Sequence, residues 1–123
     1  MPLLNDDRTD LNDRAYFIFN QMFDKYSIVD PKDESRRIMG VDEVIIFVQG
    51  ATKELCNRND NRVSKILGFD SNADGLLERH DFIEFYRQSC FAKIEVVRQN
   101  LTHHNYRHDL KQAPIAGQDD NIL

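Results

Sequence analysis

Residues 70–81 read DSNADGLLERHD, and their spacing decides what the flanking segments have to be. A hard divalent cation such as calcium takes about six to eight oxygen ligands, so a loop that wraps it needs oxygens at alternate positions and a sharp bend halfway. Asp70, Asn72 and Asp74 place side-chain oxygens at positions 1, 3 and 5 of a twelve-residue loop. Gly75 at position 6 allows a positive-φ bend that a Cβ would strain, and Leu76 at position 7 offers its backbone carbonyl. Leu77 at position 8 is the apolar anchor, Glu78 at position 9 ligates directly or through water, and Asp81 closes the loop at position 12. The usual closing residue is a bidentate Glu, so Asp81 is the departure from the pattern.

Such a loop works only between two helices. Before it, Val63, Ile66, Leu67 and Phe69 share roughly one helical face, with Asp60 as N-cap; after it, Phe82, Ile83, Phe85 and Tyr86 resume apolar helical spacing. A surface turn rich in Asp and Asn would account for the loop's polar residues, but not for apolar helices on both sides. The segment resembles an EF-hand. The resemblance implies calcium as the ion, with metal ligands Asp70, Asn72, Asp74, Leu76, Glu78 and Asp81. Because Asp81 is one methylene shorter than Glu, magnesium is expected to compete with calcium.

Further upstream, Ala15, Ile18, Phe19, Met22, Phe23 and Tyr26 recur at three- and four-residue steps, predicting a core helix capped by Asp10 or Asn12. Residues 28–37, IVDPKDESRR, read as a loop, since Pro31 disfavours helix at Asp30 and little there is apolar. A helix from Val41 to about Leu55 follows, with Val44, Ile45, Phe47 and Val48 apolar and Gly50 a point of close packing. These elements outline a second, degenerate hand. With Met39 at the apolar position 8, Glu43 falls at position 12, but Lys32, Glu34, Arg36 and Arg37 fall at positions 1, 3, 5 and 6. Cations there exclude a metal, so this hand is expected to serve packing.

The C-terminal third continues an apolar stripe through Ile94, Val97 and Leu101, in the same helix or a new one after a bend. His104 and His108, at i and i+4, would share a cation, but only Asp109 is near enough in sequence to help; structural or surface histidines are expected. Residues 111–123 read as a flexible tail or linker, and residues 1–11 as a flexible start. Net charge −5 and a pI near 5.3 disfavour nucleic acid, and no apolar run is long enough for a membrane span. Met1 to Asp10 has no apolar core of a signal peptide, and Cys56 and Cys90 lack CxxC spacing, so reduced thiols in the cytoplasm are expected. No hydrolase, zinc-protease or phosphate-loop motif occurs, so an enzyme is not expected; a Cys90–His103 pair is conceivable in space, but Cys90 lies in an apolar helix.

From Val41 to Lys111 the chain also resembles the EF-hand-like region of very large ubiquitin-specific proteases related to the fat-facets enzyme. Phe82, Phe85, Tyr86, Arg87, Asn100, Leu101, His104, Tyr106, Arg107, Asp109 and Leu110 carry that likeness. It implies a non-catalytic module of a larger protein in the ubiquitin pathway, a hydrolase only in its parent. The expected fold is all-α: an EF-hand pair with one degenerate and one metal-competent hand, and an additional C-terminal helix. Residues 12–110 form that domain, divided into 12–55, 60–91 and 92–110. The expected role is calcium-dependent regulation or protein interaction, through a protein or peptide partner in an apolar groove or another domain of the same chain. The alternative is a static structural adaptor with a permanently loaded or magnesium-occupied loop.

Overall fold

A computed structural model of the chain describes residues 2–106. Their elements run α1 (Asp13–Tyr26), β1 (Ile28–Asp30), β2 (Asp33–Ile38), α2 (Val41–Thr52), α3 (Asn61–Leu67), α4 (Arg79–Ala92) and α5 (Ile94–His103). Helix α1 starts where Asn12 accepts the Ala15 N–H through its side chain at 2.9 Å, satisfying a donor with no partner inside the helix. Its buried face is Ala15, Ile18, Phe19, Met22 and Phe23, as the helical spacing predicts. Helix α2 ends at Thr52 rather than near Leu55, because Lys53 turns left-handed at φ 59° and leaves Leu55 91% exposed. The apolar stripe of the C-terminal third bends at Lys93, so α4 and α5 are separate helices.

The expectation of an all-α fold is wrong. The segment read as a loop is an antiparallel β-hairpin, in which Ile28 pairs with Ile38 and Val29 with Arg37 around a turn at Pro31 and Lys32. Asp30 forms that turn by accepting the Lys32 N–H at 2.9 Å. The pattern hid the strands because most of β2 is exposed: its charged residues show no apolar alternation, and only Ile38 is buried. Past the hairpin, Met39 and Leu77, the two residues assigned to position 8, exchange backbone hydrogen bonds at 2.8 and 2.9 Å. That pair joins the hairpin to the 70–81 loop. Residues expected to be flexible at the start also pack: Leu3 and Leu11 are buried, and Leu4 bridges Leu11.

The core is aromatic. Phe19 stacks on Tyr86 with centroids 4.3 Å apart, while Phe47 meets Tyr26, Phe82 and Tyr86 edge-on within 5.9 Å. Such contacts add to the burial of large apolar area, so this cluster welds α1 and α2 to α4. His104 joins it as a buried neutral ring, stacked on Phe47 at 5.4 Å with Nδ1 3.1 Å from the Tyr26 hydroxyl. Gly50 makes room for that arrangement, since a Cβ there would lie 2.7 Å from the Tyr26 oxygen and 2.9 Å from His104 Cε1. Burial, with smaller effects of Lys25, Lys53 and His103, lowers the His104 pKa from 6.5 to about 4. His108 lies outside the described residues, as do Arg107, Asp109, Leu110 and the 111–123 segment.

Two outcomes follow from this core. Phe47→Ala is expected to cost about 3–5 kcal/mol, and a denaturant midpoint unmoved by the change would show that α2 does not pack on α4. The second concerns pH. Unfolded His104 takes up a proton near pH 6.5, whereas the native ring stays neutral to about pH 4, so its contribution is present above 6.5 and is lost as pH falls through that window. Urea titrations across the window should show stability falling by up to about 1.4 kcal/mol per pH unit, and His104→Gln should flatten that slope.

Candidate metal centre

The 70–81 loop is organised by its own carboxylates. Phe69 and Asp70 turn out of α3 by donating to the Ile66 and Leu67 carbonyls, which aims Asp70 across the loop. Its Oδ1 accepts the Asn72 N–H at 3.0 Å and its Oδ2 the Gly75 N–H at 2.6 Å. Gly75 sits at φ 78°, the left-handed bend that position 6 demands. Ala73 is also left-handed, at φ 57°, a conformation that favours glycine and that no sequence signal marks. Asp74 Oδ1 accepts the Leu76 N–H at 3.0 Å. At the far end Asp81 is 2% exposed: Oδ2 accepts the Glu78 N–H at 3.0 Å, capping α4, and Oδ1 accepts the Ser71 N–H at 3.3 Å.

A cationic side chain from the hairpin reaches into this loop. Arg36 donates through Nη2 to Asp74 Oδ2 at 2.9 Å, through Nε to Glu78 Oε2, and through Nη1 to Asp30 Oδ2 at 3.1 Å. The Arg36 hydrogen bond, ahead of the Leu76 N–H, holds the Asp74 carboxyl below its usual pKa. Asp74 and Glu78 in turn push the Arg36 pKa up. Glu78 Oε2 also accepts from the Asn72 amide at 3.2 Å, linking positions 3 and 9. His80 lies at the loop's edge with Nε2 3.1 Å from Asp81 Oδ1 and 2.9 Å from the Ser71 hydroxyl.

Of the six residues read as ligands, the structure brings Glu78 and Asp81 together. Among the described residues they form, with His80, a group whose ligand atoms all lie within 4.8 Å of one another. Asp70, Asn72, Asp74 and Leu76 stand on the same loop, tied to it by the turns above but outside that group. Sequence reasoning missed Arg36 and His80. His80 was legible as a neighbour of Asp81, but Arg36 was not, because its contacts span 38 and 42 residues. The chemistry of the six donors fits a hard cation: all are oxygens, and a carboxylate oxygen holding one N–H keeps a further lone pair. The His80 imidazole suits a borderline metal better.

Comparison of the chain with protein-family models, curated proteins and solved structures finds no match. Among the described residues behind the resemblance to the protease-associated region, several are packing residues. Phe82, Tyr86, Leu101, His104 and Tyr106 are buried, and Asn100 accepts from the Tyr86 hydroxyl at 3.5 Å. Burial also pushes the Cys90 thiol up to about 12, the reverse of what a nucleophilic thiolate needs.

Asp70 is the residue on which the loop's turn depends. Asp70→Ala is expected to remove metal binding at millimolar calcium, while Asp24→Ala and Asp33→Ala, both outside the loop, leave it intact. The opposite pattern in isothermal titration would place the site elsewhere.

Proposed function

We propose that this chain is a calcium-binding module of the EF-hand type that regulates, or docks to, another protein or another domain of a larger chain. Binding within the 70–81 loop is its central activity. The observation that carries the reading is the loop itself, where Asp70 gathers the Asn72 and Gly75 amides around a left-handed Gly75 while further oxygen donors recur at alternate positions. The Asp70, Asn72, Asp74, Glu78 and Asp81 side chains, with the Leu76 carbonyl, would hold the ion. Magnesium competes at the same donors, since Asp81 reaches less far than Glu.

An apolar groove of about 340 Å³ supports a partner. Phe47, Val48, Ile66, Phe69, Phe85 and Val97 line it. Phe69 directly precedes Asp70 and packs edge-on against Phe85 at 5.7 Å, so a shift at the first ligand passes to the groove wall without an intermediary. The cytoplasm suits this role: no helix among the described residues is long and apolar enough to cross a membrane, and the chain carries two free thiols, one of them buried. Membership in a fat-facets-related ubiquitin-specific protease is the parentage that the resemblance supports, with catalysis placed in another domain.

A static adaptor is the second reading, and one observation favours it. Helix α5 buries Val97 and Leu101, and Tyr106 donates to Gln21, so the segment ties α1, α2 and α4 together and resists opening. Titration calorimetry is expected to give a calcium Kd on the order of 10⁻⁵ to 10⁻³ M, weaker than in tight buffers. A nanomolar value would show that Asp81 does not limit the site, and the absence of heat at millimolar calcium, from this chain and from a variant lacking the Arg36 guanidinium alike, would remove the function. A regulatory module should gain binding of an apolar dye with calcium, and a static one should not.

A further inference from the structure

Arg36 belongs to the hairpin, yet two of its three carboxylate partners belong to the loop across the Met39–Leu77 pair. Its planar guanidinium offers donors in a fixed fork, and the fork is used in three directions. Asp30, with a side chain only 7% exposed, anchors it on the hairpin side. Asp74 Oδ2 and Glu78 Oε2, which it takes on the other side, belong to loop positions 5 and 9. Nearby cations are engaged elsewhere: Arg37 donates to Ser27, and Arg79 to Asp24 and Asn20.

We propose that Arg36 is a tethered counter-cation that competes with the divalent ion for Asp74 and Glu78 and thereby sets the affinity of the loop. The proposal rests on the calcium-loop reading above. A guanidinium on these carboxylates occupies lone pairs the ion would use and repels a second positive charge at short range. Because Arg36 is 21% exposed, solvent screens that repulsion only in part. The degenerate hand then has a role beyond packing: it regulates its neighbour by supplying the cation. Binding of the ion would release Arg36 from the loop and leave it on Asp30, loosening the tie between hairpin and loop.

A merely structural clamp and a competitor differ in sign. If Arg36 only held the loop in shape, its loss would lower metal affinity along with stability. If it competes, its loss lowers stability in chelator but raises affinity. Calorimetric calcium titration of the full 123-residue chain and of Arg36→Gln is expected to show binding roughly three- to tenfold tighter in the variant, a range that two partly exposed ion pairs allow. Arg36→Lys keeps the charge without the fork and should fall between the two. Equal or weaker binding by Arg36→Gln overturns the proposal. If circular dichroism shows that variant unfolded, Arg36→Lys takes its place, and equal or weaker binding by the lysine variant overturns the proposal in the same way. Failure of the calcium-loop reading looks different: neither the parent chain nor either variant gives heat. Binding gained by a variant where the parent shows none supports competition.

Discussion

The paired backbone hydrogen bonds between Met39 and Leu77 are the constraint on which the rest of the molecule hangs. They are short, 2.8 and 2.9 Å, and both side chains are fully buried, so the join is fixed from its polar and apolar sides together. One residue past Met39, Gly40 opens α2; one residue past Leu77, Glu78 opens α4. Each opening is closed by the side chain three residues into the turn, Glu43 accepting the Gly40 N–H at 2.8 Å and Asp81 the Glu78 N–H at 3.0 Å. The two helices therefore leave one short β-bridge under the same local rule. Their first buried aromatics, Phe47 and Phe82, meet edge-on at 5.2 Å.

That geometry explains why the two halves cannot be considered apart. Without Met39 opposite it, Leu77 would leave its amide and carbonyl with no partner in a buried place, at a cost of about 1–3 kcal/mol for each group. Without α1, Phe82 and Tyr86 would lose Phe23 and Phe19 as ring partners. Of the residues quoted for the resemblance to the protease-associated region, Phe82, Tyr86 and His104 belong to this same interlocking set. Their likeness therefore speaks to how the chain packs, and the case for what it binds stands on the 70–81 loop alone.

Much of this could be read from the chain itself. The helix faces were legible because Ala15, Ile18, Phe19, Met22 and Phe23, and later Phe82 and Tyr86, repeat with the helical period and are all buried. The bend of the 70–81 loop was legible because a left-handed glycine at Gly75 is a local requirement. The hairpin was not, since a strand that faces water on both sides carries no alternation, and Asp33, Glu34, Ser35 and Arg37 are exposed or nearly so. The buried Leu3 was hidden because its apolar run is too short to show a period and a polar stretch follows it, and the Arg36 contacts by distance along the chain.

Asp81 ties the 70–81 loop to the core of the molecule. One of its oxygens caps α4 and the other accepts the Ser71 N–H at the start of the loop, so a single buried carboxylate spans the loop from one end to the other. The longer Glu43 makes the same cap at the equivalent position of α2, so side-chain length alone does not decide whether the cap forms. Asp81 is itself buried and fixes the loop to the first turn of a helix whose Phe82 and Tyr86 are fully buried. Any displacement of that carboxylate must therefore be taken up either by breaking the cap or by moving α4 against the aromatic cluster. Packed interiors resist the second and tolerate it only as a discrete rearrangement. Were the loop to hold an ion as proposed, a ligand tied to the core in this way would suit a module that reports changes in ion concentration better than one that stores the ion.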